Sequence, residues 1–339
     1  MTLSIPEDAA EPVSRLDELL AEAADYATHA RATATLRGYR SDWADFGAWC
    51  RQMGLDALPA TPETVAAYLA FLARADAAVG TMARRLSSIG HYHRAARLPD
   101  PTADAGVRYV MAGLRRDLGR RPDQATPMMP PLLFDVLDGC PAVFAGAKGS
   151  EPHLRGLRDR AILLVGFVGA LRRSEIAAAN VEDLHEHPLG LVLDIPVSKT
   201  RQDVTQAPDS VVLPRSRTPG HCPVVQLRTW LDAAAITAGP IFQATTPRGN
   251  RLADGGRRLG GARINAIVQD ALRRVDVDPD AEGFSAHSLR AGFVTYAAAR
   301  GASDRAIARQ TRHRDVANIA VYTRHESAWT DNAATDLGL

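Results

Sequence analysis

Apolar residues recur at three- and four-residue steps through most of this chain, the period of helices that bury one face. Tyr39, Trp43, Phe46 and Trp49/Cys50 draw such a stripe over a helix at roughly 35–53, which stops at Gly54. Ahead of it, Ser14 can cap a helix through SRLDELLAEAADYATHAR. Thr61-Pro62-Glu63 is a strong start, a capping hydroxyl followed by proline at the first helical position. Val65, Tyr68, Leu69 and Leu72 form the apolar face of that helix. Thr81 opens a fourth helix through about Leu98, and 104–118 is a fifth. No strand pattern interrupts them, so 14–118 reads as an all-helical domain behind a tail at 1–13. The stretch 119–131, GRRPDQATPMMPP, is polar and proline-rich and reads as a linker.

The pattern changes in the second half. Helices are expected at 132–139, 157–168 and 174–179. LGLVLDIPVS and SVVLP then give two β-prone runs within 190–214, joined by the polar KTRQDVTQAPD, which predicts a hairpin or small antiparallel sheet. Further helices are expected at 223–236, 260–275, 286–300, 303–311 and 316–324. The expected fold is therefore mainly α: a helical N-terminal domain, an α+β domain over 132–326, and a tail at 327–339.

Composition narrows the function classes. A length of 339 residues suits two domains, and 46% apolar with 23% charged residues is a globular balance that argues against a disordered chain. No window holds eighteen uncharged apolar residues, so no membrane span is expected. MTLSIPEDAAEP has neither a basic region nor an apolar run, so a secretory signal is not expected. Cys50, Cys140 and Cys222 are far apart and lack any CxxC, which excludes a zinc ribbon and suits a reducing cytosol. The net charge of +1 conceals an acidic N-terminus offsetting a basic body. Of the forty Lys plus Arg, only Lys148 and Lys199 are lysine. A lysine that persists among so many arginines invites a role that arginine cannot fill.

Candidate chemistry starts at His287-Ser288-Leu289-Arg290. Ser285 can cap a helix there, and His and Arg three apart share a helical face. By itself the pattern is weak: about one HxxR is expected by chance in this composition, and His91–Arg94 is another. Context separates them. Twenty-two residues after Arg290 stands Arg312, followed by His313, and nine further on is Tyr322. Upstream, Gly169-Ala170-Leu171-Arg172-Arg173-Ser174-Glu175 sits where one helix ends and Ser174 can cap the next. Lys199 lies near the tip of the expected hairpin.

The order Arg, Lys, His-x-x-Arg, His, Tyr resembles the tyrosine recombinase (phage integrase) family. The matching pieces are GALRRSE, SKT, HSLR, and RH with a tyrosine nine residues on. TLRGYRSDWADFGAWC, TPETVAAYLAFLA and RRLSSIGHYHR resemble the family's helical core-binding domain, and the likeness spans about 14–326. Two positions depart from the pattern: Arg173 stands where an apolar residue is common, and Arg312 where glycine is usual. The resemblance implies a two-domain clamp on duplex DNA, with strands exchanged in a homotetramer through a four-way junction. It also implies a simple architecture like Cre or the Xer proteins, and sites carrying inverted repeats. A separate arm-binding domain is not expected, because the segment ahead of the core-binding domain is short and acidic.

The residues suit that chemistry on physical grounds. Arg172 and Arg290 can each clamp phosphate oxygens bidentately, and His313 can add a donor. Tyr322 supplies a phenolic nucleophile, with His287 placed to assist its deprotonation. Lys199 can give a proton to the leaving 5′-oxygen, which an arginine cannot. Glu175 can orient Arg172 or His313. No metal, ATP or other cofactor is expected. For DNA contacts, Arg84, Ser88 and His91 lie at i, i+4, i+7 with Arg85 and Arg94 beside them, and the 35–53 helix offers Arg37, Arg40 and Ser41. By the resemblance these helices face the duplex, with Thr81 and the hairpin's Arg201 as further contacts. Asp183, His185, Glu186 and His187 read as a turn rather than a metal site, and the His221–Cys222 pair reads as structural. No membrane partner is expected, and the compartment would be a bacterial or phage-infected cytoplasm, at the nucleoid. Other readings are a type IB topoisomerase-like relaxing enzyme, a catalytically silent DNA-binding protein, and a metal-dependent nuclease. The tail at 327–339, with Trp329 as an apolar anchor, would dock on a neighbouring protomer.

Overall fold

A computed structural model describes residues 33–119, 124–146, 149–195 and 209–312. The expected helices at 14–31 and 316–324 lie outside these residues. Contacts divide the chain between Pro122 and Asp123.

The first unit is helical throughout its described residues. Helix α1 spans Thr33–Met53, α2 Pro62–Arg74, α3 Val79–Ala95 and α4 Ala105–Asp117. The Thr61 hydroxyl caps α2 by accepting from the Thr64 amide at 3.2 Å, as the Thr-Pro-Glu signature predicts. Helix α3 begins earlier than expected, on Ala78 without a side-chain cap, so Thr81 lies inside its first turn. The Asp104 carboxylate caps α4 through the Gly106 amide at 2.7 Å. The apolar stripes of all four helices meet in one core, built on Phe46, Trp49, Cys50, Tyr68, Leu69, Met82, Ile89 and Met111. His93 is fully buried within it. Its Nε2 accepts from the Ala60 amide at 2.9 Å and its Nδ1 lies 2.8 Å from the Ile89 carbonyl.

In the second unit α5 spans Leu132–Asp138, and strands β1 (Val143–Gly146) and β2 (Gly149–Pro152) pair antiparallel. The sequence reading has no counterpart for this short pair. Helix α6, Leu154–Val168, is buried along most of its length and apolar all round from Ala161 on, the mark of a central core helix, while the Arg158–Asp159 pair in its first turns is buried and mutually bonded. After α7 (Arg173–Ala178) comes a sheet of β3 (Leu184–His187), β4 (Gly190–Ile195) and β5 (Asp209–Pro214). The order is β3-β4-β5, all antiparallel, with Leu191 opposite Leu213 and Leu193 opposite Val211. Strand β3 corrects the turn reading of 183–187. Its residues are polar because the strand lies at the sheet's edge with most side chains exposed. Helices α8 (Pro223–Ala233), α9 (Gly261–Arg273), α10 (His287–Ala299) and α11 (Asp304–Thr311) complete the unit.

Two glycines set how closely α10 is held. A β-carbon at Gly166 of α6 would stand 2.8 Å from Leu289 Cδ1, and one at Gly292 would stand 2.0 Å from the Met128 carbonyl oxygen. Met128 is itself fully buried, and its amide donates to the Ser288 carbonyl at 3.0 Å, while the Thr126 amide donates to Gly283 O at 3.1 Å. Residues 126–128 are therefore packed on α10 and not free linker, a correction to the 119–131 reading. Among the described residues no helix is long and apolar enough to cross a membrane.

Candidate active site

Helix α6 ends at Val168, and the chain reverses through Ala170, whose φ of 47° is left-handed. The reversal delivers Arg172 to the extended position that caps α7. Here the structure corrects the sequence reading. Ser174 is not the cap; Glu175, in the first turn, accepts from the Arg172 backbone amide at 2.8 Å. The same carboxylate accepts from Arg172 Nη1 at 2.8 Å. Arg258, which sequence reasoning missed, holds the other end of α7 by donating to the carbonyls of Ala177 and Ala178 at 2.9 and 2.7 Å. A cation at a helix C-terminus satisfies orphan carbonyls and favours the dipole.

The Ser285 hydroxyl accepts from the His287 amide at 3.2 Å at the start of α10. His287 is exposed and Arg290, three residues on, is 2% exposed. Arg290 bridges the turn at Ala170 and the C-terminal end of α11: Nη1 donates to the Ala170 carbonyl and Nη2 to the Thr311 carbonyl, each at 2.6 Å. One planar guanidinium thus ties the turn before Arg172 to the chain just before Arg312 and His313. Crowding by surrounding atoms, then the charges of Arg290 and Arg172, hold His287 below the usual imidazole range. The ring is accordingly neutral at pH 7, the state in which it can accept a proton.

Arg312 ends α11 in the left-handed region, with φ 56° and ψ 38°, where glycine would sit without strain. Its side chain turns inward, and Nη2 donates to Glu175 Oε2 at 2.6 Å. Glu175, 3% exposed, is therefore shared by Arg172 and Arg312. The structure gathers Arg172, Glu175, His287 and Arg290, and adds Arg312. Lys199, Arg201, His313 and Tyr322 lie outside the described residues. Arg173, the other departure, is exposed.

Of the expected DNA-contacting residues, Arg37, Arg40 and Ser41 lie exposed on α1, and Arg84 and Arg94 are exposed on α3. Ser88 is a correction. It is fully buried, and its hydroxyl donates to the Tyr39 carbonyl at 2.8 Å, joining α3 to α1. Arg85 turns toward Asp45 and the Tyr68 hydroxyl and also serves helix packing. Thr81 is half-buried, and His91 is half-buried with its ring 5.4 Å from that of Tyr39. Ser87, at i+3 from Arg84, takes the exposed place that Ser88 lacks. Ser87 lines a hollow with Tyr39, Arg94, Thr102 and Arg115. Neither Ser87 nor Arg115 stood out in the sequence; the three-residue step from Arg84 was the available signal.

His185 Nε2 meets Asp194 across the sheet at 2.9 Å, and His187 Nδ1 accepts from the Leu189 amide at 3.1 Å. Among the described residues no three His, Cys, Asp or Glu side chains are grouped to hold a metal ion. His221 stacks on Phe134 with centroids 3.9 Å apart, and buried Cys222 accepts from the Ser216 amide.

A family model described as phage integrase, N-terminal SAM-like domain, matches residues 26–98. An integrase/recombinase XerD homolog of Selenomonas ruminantium is 34% identical over 306 residues, which is 89% of this chain and 85% of that protein. The chain belongs to the tyrosine recombinase family. The Cre recombinase of Escherichia phage P1 is 26% identical over 272 residues, covering 77% of this chain and 74% of its own. Among solved structures, a lambda integrase tetramer bound to a Holliday junction aligns with a TM-score of 0.56 at 14% identity, over 91% of this chain and 75% of that one. That likeness is one of fold. Within this fold, Arg172 is held by the Glu175 carboxylate and Arg290 by the Ala170 and Thr311 carbonyls.

Proposed function

We propose that this protein is a site-specific DNA recombinase that cuts and rejoins strands through a 3′-phosphotyrosyl intermediate. The observation that carries the reading is the Arg290 guanidinium bridging the Ala170 and Thr311 carbonyls, which sets two family motifs 120 residues apart in sequence side by side. In this reading the Tyr322 oxygen attacks the scissile phosphorus as its proton passes toward His287. The bond from phosphorus to the 5′-oxygen breaks, and Lys199 protonates that oxygen. Arg172, Arg290 and His313 receive the charge that builds on the non-bridging oxygens. The new diester keeps the energy of the old one, so a free 5′-hydroxyl can reverse the step without ATP.

Duplex DNA with inverted-repeat sites is the substrate. Arg37, Arg40, Ser41, Arg84 and Arg94 contact it from 14–118, while 132–326 carries the chemistry. Four copies exchange strands pairwise through a Holliday junction, with 327–339 of one copy docking on the next through Trp329. The site of action is the cytoplasm, at the nucleoid. The test is a nicked duplex that traps the cut strand, resolved on a denaturing gel. The wild-type chain forms a covalent adduct, retained in EDTA, and Tyr322→Phe forms none. An adduct in Tyr322→Phe, or none in the wild type, overturns the reading. Relaxation of supercoils without strand exchange would point to topoisomerase-like action.

A further inference from the structure

A non-glycine residue in the left-handed region crowds its β-carbon against the backbone, a strain that glycine escapes. At position 312 that residue is an arginine, 8% exposed, whose guanidinium reaches Glu175 Oε2 at 2.6 Å and the Gln310 carbonyl at 3.1 Å. The partner it selects is not a bystander. Glu175 already binds both the side chain and the backbone amide of Arg172. An Arg172–Glu175 pair alone would be neutral. Two guanidiniums on the buried Glu175 carboxylate leave that trio at +1, with Asp209 a weaker attraction on Arg312 than Glu175 is, so Arg312 shares Glu175 and lets it orient Arg172 without cancelling it. The same side chain pins the turn that runs directly into His313. On the other side of that turn, Gln310 holds α11 to β5 and to the end of α6, with Nε2 donating to the Val212 and Val168 carbonyls at 2.8 Å each.

We infer that Arg312 is a positioning residue, which sets the orientation and effective charge of Arg172 through Glu175. The inference rests on the recombinase reading above. Adduct formation on the nicked duplex is measured in single turnover at saturating protein, beside DNA affinity by fluorescence anisotropy and melting temperature. Arg312→Gly slows the adduct step by about 10- to 100-fold, the worth of a charge-assisted hydrogen bond. Affinity stays near the wild-type value, and the melting temperature is held up by relief of the left-handed strain. Arg312→Lys recovers part of the rate, whereas Arg312→Gln, which can hydrogen-bond without charge, does not. In a Glu175→Gln background, Arg312→Gly adds little further loss. An Arg312→Gly chain as fast as wild type overturns the inference, as does equal recovery by Lys and Gln. If the glycine variant fails to fold, the Lys–Gln pair decides. A wild-type chain without adduct fails the recombinase reading itself, which separates the two failures.

Discussion

In the helical unit Arg84, Arg85 and Arg94 reach Asp42, Asp45 and Asp100 across helix surfaces; Arg84 and Arg94 keep half of their side chains exposed. In the second unit Arg290 and Arg312 are almost wholly buried and fasten backbone carbonyls and a carboxylate far away in sequence. At Arg84 and Arg94 the first use needs mainly a positive charge on a flexible, half-exposed stem, which water partly screens, while Arg85 is drawn into helix packing. The second needs a planar fork with fixed donors, and removing it strands buried acceptors. The same residue type should therefore respond to substitution in opposite ways in the two regions.

Arg290→Lys applies the largest strain to this contrast. It keeps the charge, but one ammonium cannot span the Ala170 and Thr311 carbonyls as the guanidinium does. The rate of adduct formation should fall by about 10²–10³, the usual loss for one preorganised donor in such a site. Stability should fall by about 1–3 kcal/mol for each carbonyl left unpaired. The melting temperature and the single-turnover rate check both. A lysine variant as active and as stable as wild type would dissolve the distinction between the two uses.

His287 gives a smaller effect with a sharper signature. Partial desolvation by surrounding atoms, then the charges of Arg290 and Arg172, lower its pKa, so the folded chain holds fewer protons at this ring than the unfolded chain. Its contribution to stability is intact above the ordinary imidazole value of about 6.5 and declines as pH falls from there toward the lowered value. If the neutral ring accepts the tyrosine proton, the acid limb of the adduct rate lies below about pH 6.5. His287→Gln should cost about 10² in rate and flatten that limb. A limb centred above pH 7, or one that persists in the variant, would show that another group titrates.

Much of this molecule was legible where a signal is local. The Thr61-Pro62-Glu63 start works through a hydroxyl three residues from its amide, and β4 and β5 announce themselves by apolar runs. Glu175 was readable as a partner of Arg172 because three residues separate them on one turn. What escaped depends on distant partners. Strand β3 is polar because it sits at an edge, and β1 and β2 are only four residues each. Met128 looks like linker until Gly292 opens a space for it. Arg312 looks like an anomaly in a glycine position until Glu175, 137 residues earlier, receives it. Ser88 has the spacing of an exposed polar face, yet the Tyr39 carbonyl on another helix claims its hydroxyl.

Ser88 and Arg37 sharpen the comparison inside the helical unit itself, where effects are smallest. The sequence places both on a DNA-facing surface; the structure buries one and exposes the other. Ser88→Ala leaves the Tyr39 carbonyl without that donor and should cost about 1 kcal/mol of stability, with DNA affinity unchanged. Arg37→Gln should leave stability within about 0.5 kcal/mol. It should weaken DNA binding several-fold and reduce the slope of log affinity against log salt by about 0.9, the signature of one lost phosphate contact. Thermal melts and anisotropy titrations at several salt concentrations separate the two. If Ser88→Ala changed the salt slope and Arg37→Gln did not, exposure would be a poor guide to which arginines and serines meet the duplex. If both behave as expected, the face that reads DNA follows the row Arg84, Ser87, His91 and Arg94 rather than the row through Ser88.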